Sequence, residues 1–164
     1  MNSGYSEEEL EQAVFRHVEG INRKLADNDY SIECLSDIEK TVLFAYEMEL
    51  EVKNGGLHQY FYNSTGDSWK EMMNALRAIG AERLLSLFEA ALSVFPGGAP
   101  SPDREERWKQ LDQIGDAGAG KLEQLSQEYF GMHEEHPGQD IYDKLGTYLL
   151  SRQKSSTRPD DEMC

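Results

Sequence analysis

The sequence has few basic residues and few cysteines, and each shortage excludes a class of protein. Lys and Arg number 16 against 31 Asp and Glu, which gives a formal net charge of -15. A chain with that charge repels nucleic acid and anionic membrane surfaces and attracts cationic partners. Two cysteines, Cys34 and the terminal Cys164, are a poor basis for a disulfide framework. The composition therefore predicts a basic protein as the partner, with no direct contact to nucleic acid.

Long apolar runs are absent as well. No run approaches the roughly 20 residues that span a bilayer. The first residues, MNSGYSEEELEQ, have neither the basic nor the apolar region of an export signal. We therefore expect a cytoplasmic protein that does not enter membranes. A chain of 164 residues is long enough for one domain with a single core.

Apolar residues recur at helical spacing along most of the chain. A capping box of Ser6 and Glu9 precedes apolar residues every three or four positions, which predicts a first helix over residues 7–26. A second capping box, Ser36 and Glu39, precedes a segment that is apolar around most of its circumference. Such a segment is typical of a helix surrounded by other helices. No stretch of useful length alternates as a β-strand does.

Glycine and proline mark where these helices should end. Breaks are predicted at the sequences NGG (54–56), PGGAPSP (96–102), GDAGAG (115–120) and HPGQD (136–140). The prediction is an all-α fold, a single-domain bundle of about seven or eight helices over residues 1–151. Residues 152–164 are polar and lack apolar periodicity, so we predict a disordered polar tail there.

The stretch NGGLHQYFYNSTG, residues 54–66, is the most unusual part of the sequence. We interpret it as a structural corner, in which the glycines end one helix and turn the chain while Asp67 caps the next helix. The structural residues of this motif are Asn54, Gly55, Gly56, Gln59, Tyr60, Phe61, Asn63 and Gly66. A catalytic interpretation would use Asn54, His58, Gln59 and Asp67. The stretch has no nucleophile and base at a recognised spacing and no phosphate-loop lysine, so we expect neither a catalytic residue nor a cofactor.

This motif also resembles the signature of a known family. The residues are Glu51 and Val52 with the motif from Asn54 to Gly66, written E-V-x-N-G-G-x-x-Q-Y-F-x-N-S-x-G, followed by AIGA at 78–81. They are similar to a bacterial domain-of-unknown-function family that contains DNA mimic protein nineteen, over about residues 35–150. The resemblance implies an all-helical fold. For the named member it implies an acidic dimer that occupies the DNA-binding surface of a helix-turn-helix transcription regulator, so the resemblance also allows a homodimer.

Two groups of acidic residues are the candidate partner-binding surface. Glu8, Glu11 and Glu19 fall on one side of the first helix, and Asp37, Glu47 and Glu51 on one side of the second. Carboxylates one turn apart are about 5 to 6 Å from each other, so two or more such helices would be needed to imitate DNA. Three alternatives remain: a solvated acidic face without a partner, an immunity-type inhibitor of a basic toxin or nuclease, and a metal-dependent enzyme.

Two further groups of ionisable residues could have a chemical role. His133 and His136 with the two glutamates between them could bind a metal, but a helical zinc pair prefers a spacing of four. We therefore predict no metal site. Glu49 falls on the apolar side of the second helix, where we expect it to be paired within the core.

Overall fold

The computed structural model describes residues 4–156, and all the regular secondary structure within that range is helical. The six α-helices are α1 (Glu7–Ala26), α2 (Asp37–Tyr62), α3 (Trp69–Ala78), α4 (Glu82–Leu92), α5 (Arg104–Glu135) and α6 (Ile141–Ser156). Short 3₁₀ segments lie at Ile32–Cys34, Ser64–Ser68 and Pro96–Gly98. The prediction of an all-α bundle is confirmed.

The helix number is slightly lower than predicted because two of the expected breaks are bends. α2 continues past Gly55 and Gly56, and α5 continues past Gly115, although the backbone angles at these three glycines are not helical. The glycines turn the chain, and the helix continues on the other side. Each predicted pair of helices is therefore one bent helix.

The C-terminal helix is longer than the sequence pattern indicates. α6 runs to Ser156, so it includes the first part of the predicted tail at 152–164. The Arg152 guanidinium lies 4.1 Å from the centroid of the Tyr148 ring, one turn earlier, and this pair supports the extra turn. The remainder of the predicted tail, 157–164, lies outside the described residues.

α1 forms as the sequence pattern predicts. The Ser6 hydroxyl accepts a hydrogen bond from the Glu9 amide, and the Glu9 carboxylate accepts one from the Ser6 amide. Leu10, Val14 and Ile21 are buried on the face that packs against α6 and α2. The opposite face of α1 therefore points to solvent.

α2 is the central helix of the bundle. Val42, Ala45, Met48 and Val52 are fully buried, because α1, α3, α5 and α6 all pack against this helix. Beyond its bend, the core continues through aromatic pairs, including Phe61 and Phe95 with ring centroids 4.8 Å apart. Most of the circumference of α2 is thus covered, which leaves little of its surface for a partner.

No helix in residues 4–156 is both long and apolar enough to cross a membrane.

Candidate functional site

The glycines of the motif produce the bend in α2. Gly56 has φ 74°, a conformation that residues with a β-carbon rarely adopt. A β-carbon there would also lie 2.8 Å from the Ser126 hydroxyl oxygen of α5. That hydroxyl accepts a hydrogen bond of 2.9 Å from the Leu57 amide and donates one of 2.8 Å to the Leu122 carbonyl. The bend is therefore bonded directly to α5.

A buried arginine joins the end of α2 to the beginning of α5. Arg107 is fully buried, and a guanidinium has five N–H donors. All five have acceptors, which are the carbonyl oxygens of Phe61, Asn63, Ser101 and Pro102 and a carboxylate oxygen of Asp67. A charge buried with every hydrogen bond formed is the arrangement expected of a structural residue. We call this assembly, Arg107 with those five acceptors, the arginine corner.

The arginine corner accounts for the end of the motif. A β-carbon on Gly66 would lie 2.8 Å from the Tyr60 carbonyl oxygen and 2.9 Å from Arg107 Nε, so only glycine fits. The prediction that Asp67 caps the next helix is wrong. Asp67 lies inside the 3₁₀ segment Ser64–Ser68, and its carboxylate binds Arg107 and lies 3.6 Å from Arg104. Because the chain forms a 3₁₀ turn before α3, the Asp67 side chain faces the neighbouring helix.

Glu51 binds side chains of the motif as well. One of its carboxylate oxygens accepts hydrogen bonds of 3.1 Å from the Gln59 amide nitrogen and 2.8 Å from that of Asn63. The side chains of Gln59 and Asn63 therefore bridge the two halves of α2. Glu47, one turn before Glu51, is half-buried, and burial together with the charge of Glu51 raises its pKa. These two acids are therefore less accessible to a partner than the exposed acids of α1.

The other four predicted partner-binding acids are exposed. Glu8, Glu11 and Glu19 lie along the solvent side of α1, and Asp37 lies in the first turn of α2. A 2.9 Å ion pair between Lys24 and Glu39 brings the end of α1 beside the start of α2. Asp37 lies two residues before Glu39, next to the point where the end of α1 meets the start of α2. We call these four residues the acidic face.

Phe15 lies within the acidic face, between Glu11 and Glu19 on α1. Its side chain is 44% exposed although it is apolar. Its ring lies 5.8 Å from that of Tyr142 and 6.4 Å from that of Tyr46, measured between centroids. Exposed aromatic rings are enriched in protein interfaces, and the sequence pattern gave no indication of this one.

A cavity of about 210 Å³ opens beside the N-terminal half of α1. Glu49 lines it and is only 3% exposed. Its carboxylate accepts a hydrogen bond from the Tyr129 hydroxyl and lies 4.0 Å from the Lys53 ammonium. Burial raises the pKa of Glu49, and the Tyr129 hydrogen bond and the Lys53 charge offset only part of that shift. The expected pairing of Glu49 is present, but it is incomplete.

His133, Asp140 and Asp143 lie at the edge of this cavity. His133 Nδ1 is 2.6 Å from an Asp140 carboxylate oxygen, and the hydrogen bond between them raises the pKa of His133. One potential ligand atom from each of the three residues lies within 4.8 Å of the others, so the group has the side chains and spacing to hold a divalent cation. His136 is separate from the group, since its Nε2 faces the Arg83 guanidinium.

The sequence interpretation missed Arg107 and the two aspartates. Arg107 precedes Leu111 by four residues and Ile114 by seven, so helical spacing alone puts it on the buried side of α5. That signal was available. His133 lies in the last turn of α5, and Asp140 directly precedes α6, so their approach depends on the conformation of the connection between the two helices, which helical periodicity does not encode.

The fold and the charge define the class of the protein as an acidic, all-helical bundle with a buried structural corner and an exposed line of carboxylates. The family model for DMP19-like protein matches residues 33–152, and the chain belongs to that family. No significant match was found among curated proteins or among solved structures. The match begins after α1, so Glu8, Glu11 and Glu19 lie outside it and Asp37 lies inside it.

Proposed function

We propose that this protein is an acidic protein-binding module that mimics DNA and occupies the DNA-binding surface of a helix-turn-helix regulator. The observation that carries the proposal is the acidic face, on which carboxylates remain exposed along one side of α1 and at the start of α2. The net charge of -15 adds long-range attraction for a basic surface. Membership of the DMP19-like family also supports the proposal of DNA mimicry.

The carboxylates of the acidic face are spaced more widely than the phosphates of DNA, so they match a phosphate-binding surface only in part. With a rise of about 1.5 Å per residue, Glu8 and Glu19 are about 16 Å apart along α1. B-DNA carries one charge per roughly 1.7 Å of axis, so three carboxylates over that length neutralise only a few cationic groups. The mimic therefore relies on Asp37 and on exposed acids of neighbouring elements, and Phe15 provides an apolar contact that DNA phosphates lack.

Exchange of Glu47 and Glu51 would be a poor test of this surface. Reversal of Glu51 to Lys breaks its hydrogen bonds to Gln59 and Asn63, so lost binding would also report a disturbed bend. The better variant combines Glu8→Gln, Glu11→Gln and Glu19→Gln. A matched control removes the same three charges from α5, with Glu105→Gln, Glu123→Gln and Glu128→Gln, all of which are exposed.

The experiment is capture from a lysate of the native cell at low salt, followed by elution at high salt. We expect a helix-turn-helix regulator that its own operator DNA displaces, with affinity reduced about tenfold or more in the α1 variant and little changed in the control. Equal losses in both variants would reject the acidic face. Capture of a basic nuclease or toxin whose activity the protein blocks would replace DNA mimicry with inhibition of that enzyme.

A further inference from the structure

The cavity beside α1 has an acidic floor and apolar walls. Glu49 is at the floor, and its carboxylate is buried with one hydrogen bond, from Tyr129, and one cation, Lys53, at 4.0 Å. Leu10, Met132 and Ile141 are buried and line the cavity. Carboxylates are normally buried only when they are well paired. The floor therefore has capacity for a further cationic group.

The rim of the cavity is also acidic. Glu7 and Glu11 of α1 are exposed there, and Asp140 and Asp143 approach from the beginning of α6. Burial, together with the proximity of Asp140, raises the pKa of Asp143. His133 lies 2.6 Å from Asp140 and 3.4 Å from Glu7 and offsets part of this charge when it is protonated, but four carboxylates against one imidazole leave the entrance negative.

The size of the cavity selects among cationic ligands. At about 210 Å³ it is smaller than the roughly 300–1,000 Å³ of pockets that enclose drug-sized molecules. The apolar lining suits an alkyl chain, and the carboxylate at the floor suits a positively charged group at the end of that chain. Lys and Arg side chains have both parts, an apolar stem and a cationic head. A single long basic side chain matches both the volume and the chemistry.

We propose that this cavity receives a Lys or Arg side chain of a protein partner, with the alkyl part against Leu10 and Ile141 and the cation at Glu49. The inference deepens the proposed function and rests on it for the source of the side chain, because Glu11 belongs to both the acidic face and the rim. The Lys53 side chain, which is half-exposed, moves aside when the ligand cation enters. DNA has no equivalent recess, so the cavity would give the interface an anchor that phosphates cannot supply.

The test uses two small probes, N-acetyl-lysine methylamide and N-acetyl-arginine methylamide, titrated into the full chain and followed by amide chemical shifts. The neutral analogue N-acetyl-norleucine methylamide measures the apolar contribution alone. We expect shifts around Leu10, Tyr129 and Ile141 from one or both charged probes and weak or absent shifts from the neutral one. The comparison of the two charged probes identifies ammonium or guanidinium as the preferred group.

Three variants decide whether the cavity is the site. Glu49→Gln should weaken probe binding about tenfold or more, whereas Glu123→Gln, the same change on the open side of α5, should leave it unchanged. Lys53→Met should strengthen probe binding, because it removes the ammonium group that competes for Glu49. Damage to the fold would weaken binding, so an increase in affinity could not come from misfolding. Should Glu49→Gln unfold the chain, Asp143→Asn at the rim is expected to weaken binding in its place.

Several results would overturn the proposal. Equal weakening by Glu49→Gln and Glu123→Gln would indicate diffuse attraction to an acidic surface, and the absence of probe shifts would remove the site. Saturable binding of Zn²⁺ or Mn²⁺ that His133→Ala abolishes, with no response to either charged probe, would assign the cavity to a metal instead. Probe binding does not depend on a captured regulator, so the titration tests the cavity even if the proposed function is wrong. Conversely, capture that needs the acidic face but not Glu49 would reject the anchor alone.

Discussion

Two buried charged sites border α2, one on each side of its bend, and their charged groups are hydrogen-bonded to different degrees. In the arginine corner, all five N–H donors of Arg107 meet oxygen acceptors. In the cavity, Glu49 has one hydrogen bond and a distant, half-exposed lysine. A saturated buried charge fixes the fold, because any movement loses hydrogen bonds. An unsaturated one costs stability and leaves room for a ligand, so the comparison separates structural residues from candidate functional ones.

The largest expected effect comes from breaking the saturated site. Arg107→Met should lower the free energy of unfolding by about 3–5 kcal/mol, because it removes five hydrogen bonds at once, to four carbonyls and to the Asp67 carboxylate. Arg104→Met is the matched control, since Arg104 also faces Asp67 but is exposed, and it should cost less than about 1 kcal/mol. Urea denaturation measures both. Similar losses in the two variants would mean that Arg107 does not hold the corner.

A smaller effect is expected at the bend that separates the two sites. Gly56→Ala combines an unfavourable φ with a β-carbon 2.8 Å from the Ser126 hydroxyl, and we expect a loss of about 3 kcal/mol. Gly138→Ala has a similar φ, 81°, with no atom within 4 Å of the added carbon, so it should cost about 1–2 kcal/mol. The difference between the two losses of unfolding free energy measures the cost of the contact between the added carbon and α5. Equal losses would show that α5 adjusts freely to the bend.

The sequence predicts the positions of the helices well and the contacts of the buried charged residues poorly. The capping boxes, the apolar periodicity and the glycines locate α1, the central α2 and its bend, because each depends on residues within one or two turns. The residues of the arginine corner are up to 46 positions apart, and Glu49 and Tyr129 are 80 apart. Their meeting is decided by how the helices pack. The same limit explains why helical spacing groups Glu47 and Glu51 with the exposed Asp37, although neighbouring helices partly cover both glutamates.

Breaking the unsaturated site should have a smaller effect, with a size that depends on pH. The pKa of Glu49 is raised in the folded state by burial, so the folded chain keeps this proton to a higher pH than the unfolded chain does. Ionisation therefore removes stability as the pH rises from the ordinary carboxyl pKa through the raised one. Glu49→Gln cannot ionise, so relative to wild type it should gain stability on the order of 1 kcal/mol at pH 8. The gain should shrink toward pH 4.

Thermal unfolding at several pH values measures that difference, with Glu123→Gln as the control for loss of an exposed carboxylate. A Glu49→Gln variant that is less stable than wild type at pH 8 would mean that Lys53 and Tyr129 satisfy the carboxylate after all. The contrast with Arg107 would then disappear, and with it the reason to regard the cavity as open to a ligand.

The smallest effect concerns the rim of the cavity and should be largest in acid, whereas the effect of Glu49→Gln is largest at high pH. The hydrogen bond and charge of Asp140 raise the pKa of His133 in the folded state. The resulting stabilisation is fully present below the ordinary histidine pKa and is lost as the pH rises through the raised value. His133→Gln should therefore lower the melting temperature at pH 5.5 and leave it unchanged at pH 9. Because His133 is mostly exposed, the loss should stay under about 1 kcal/mol.

His58→Gln is the control, because His58 is exposed and stacks on Tyr62 beyond the bend of α2. A difference that persists for His133→Gln at pH 9 would assign His133 a packing role at the rim instead of an electrostatic one. Loss of stability in acid alone would show that the rim carboxylates attract a cation strongly enough to be measured. They would then attract the side chain of a partner by the same interaction, since the imidazolium and a lysine ammonium carry the same charge.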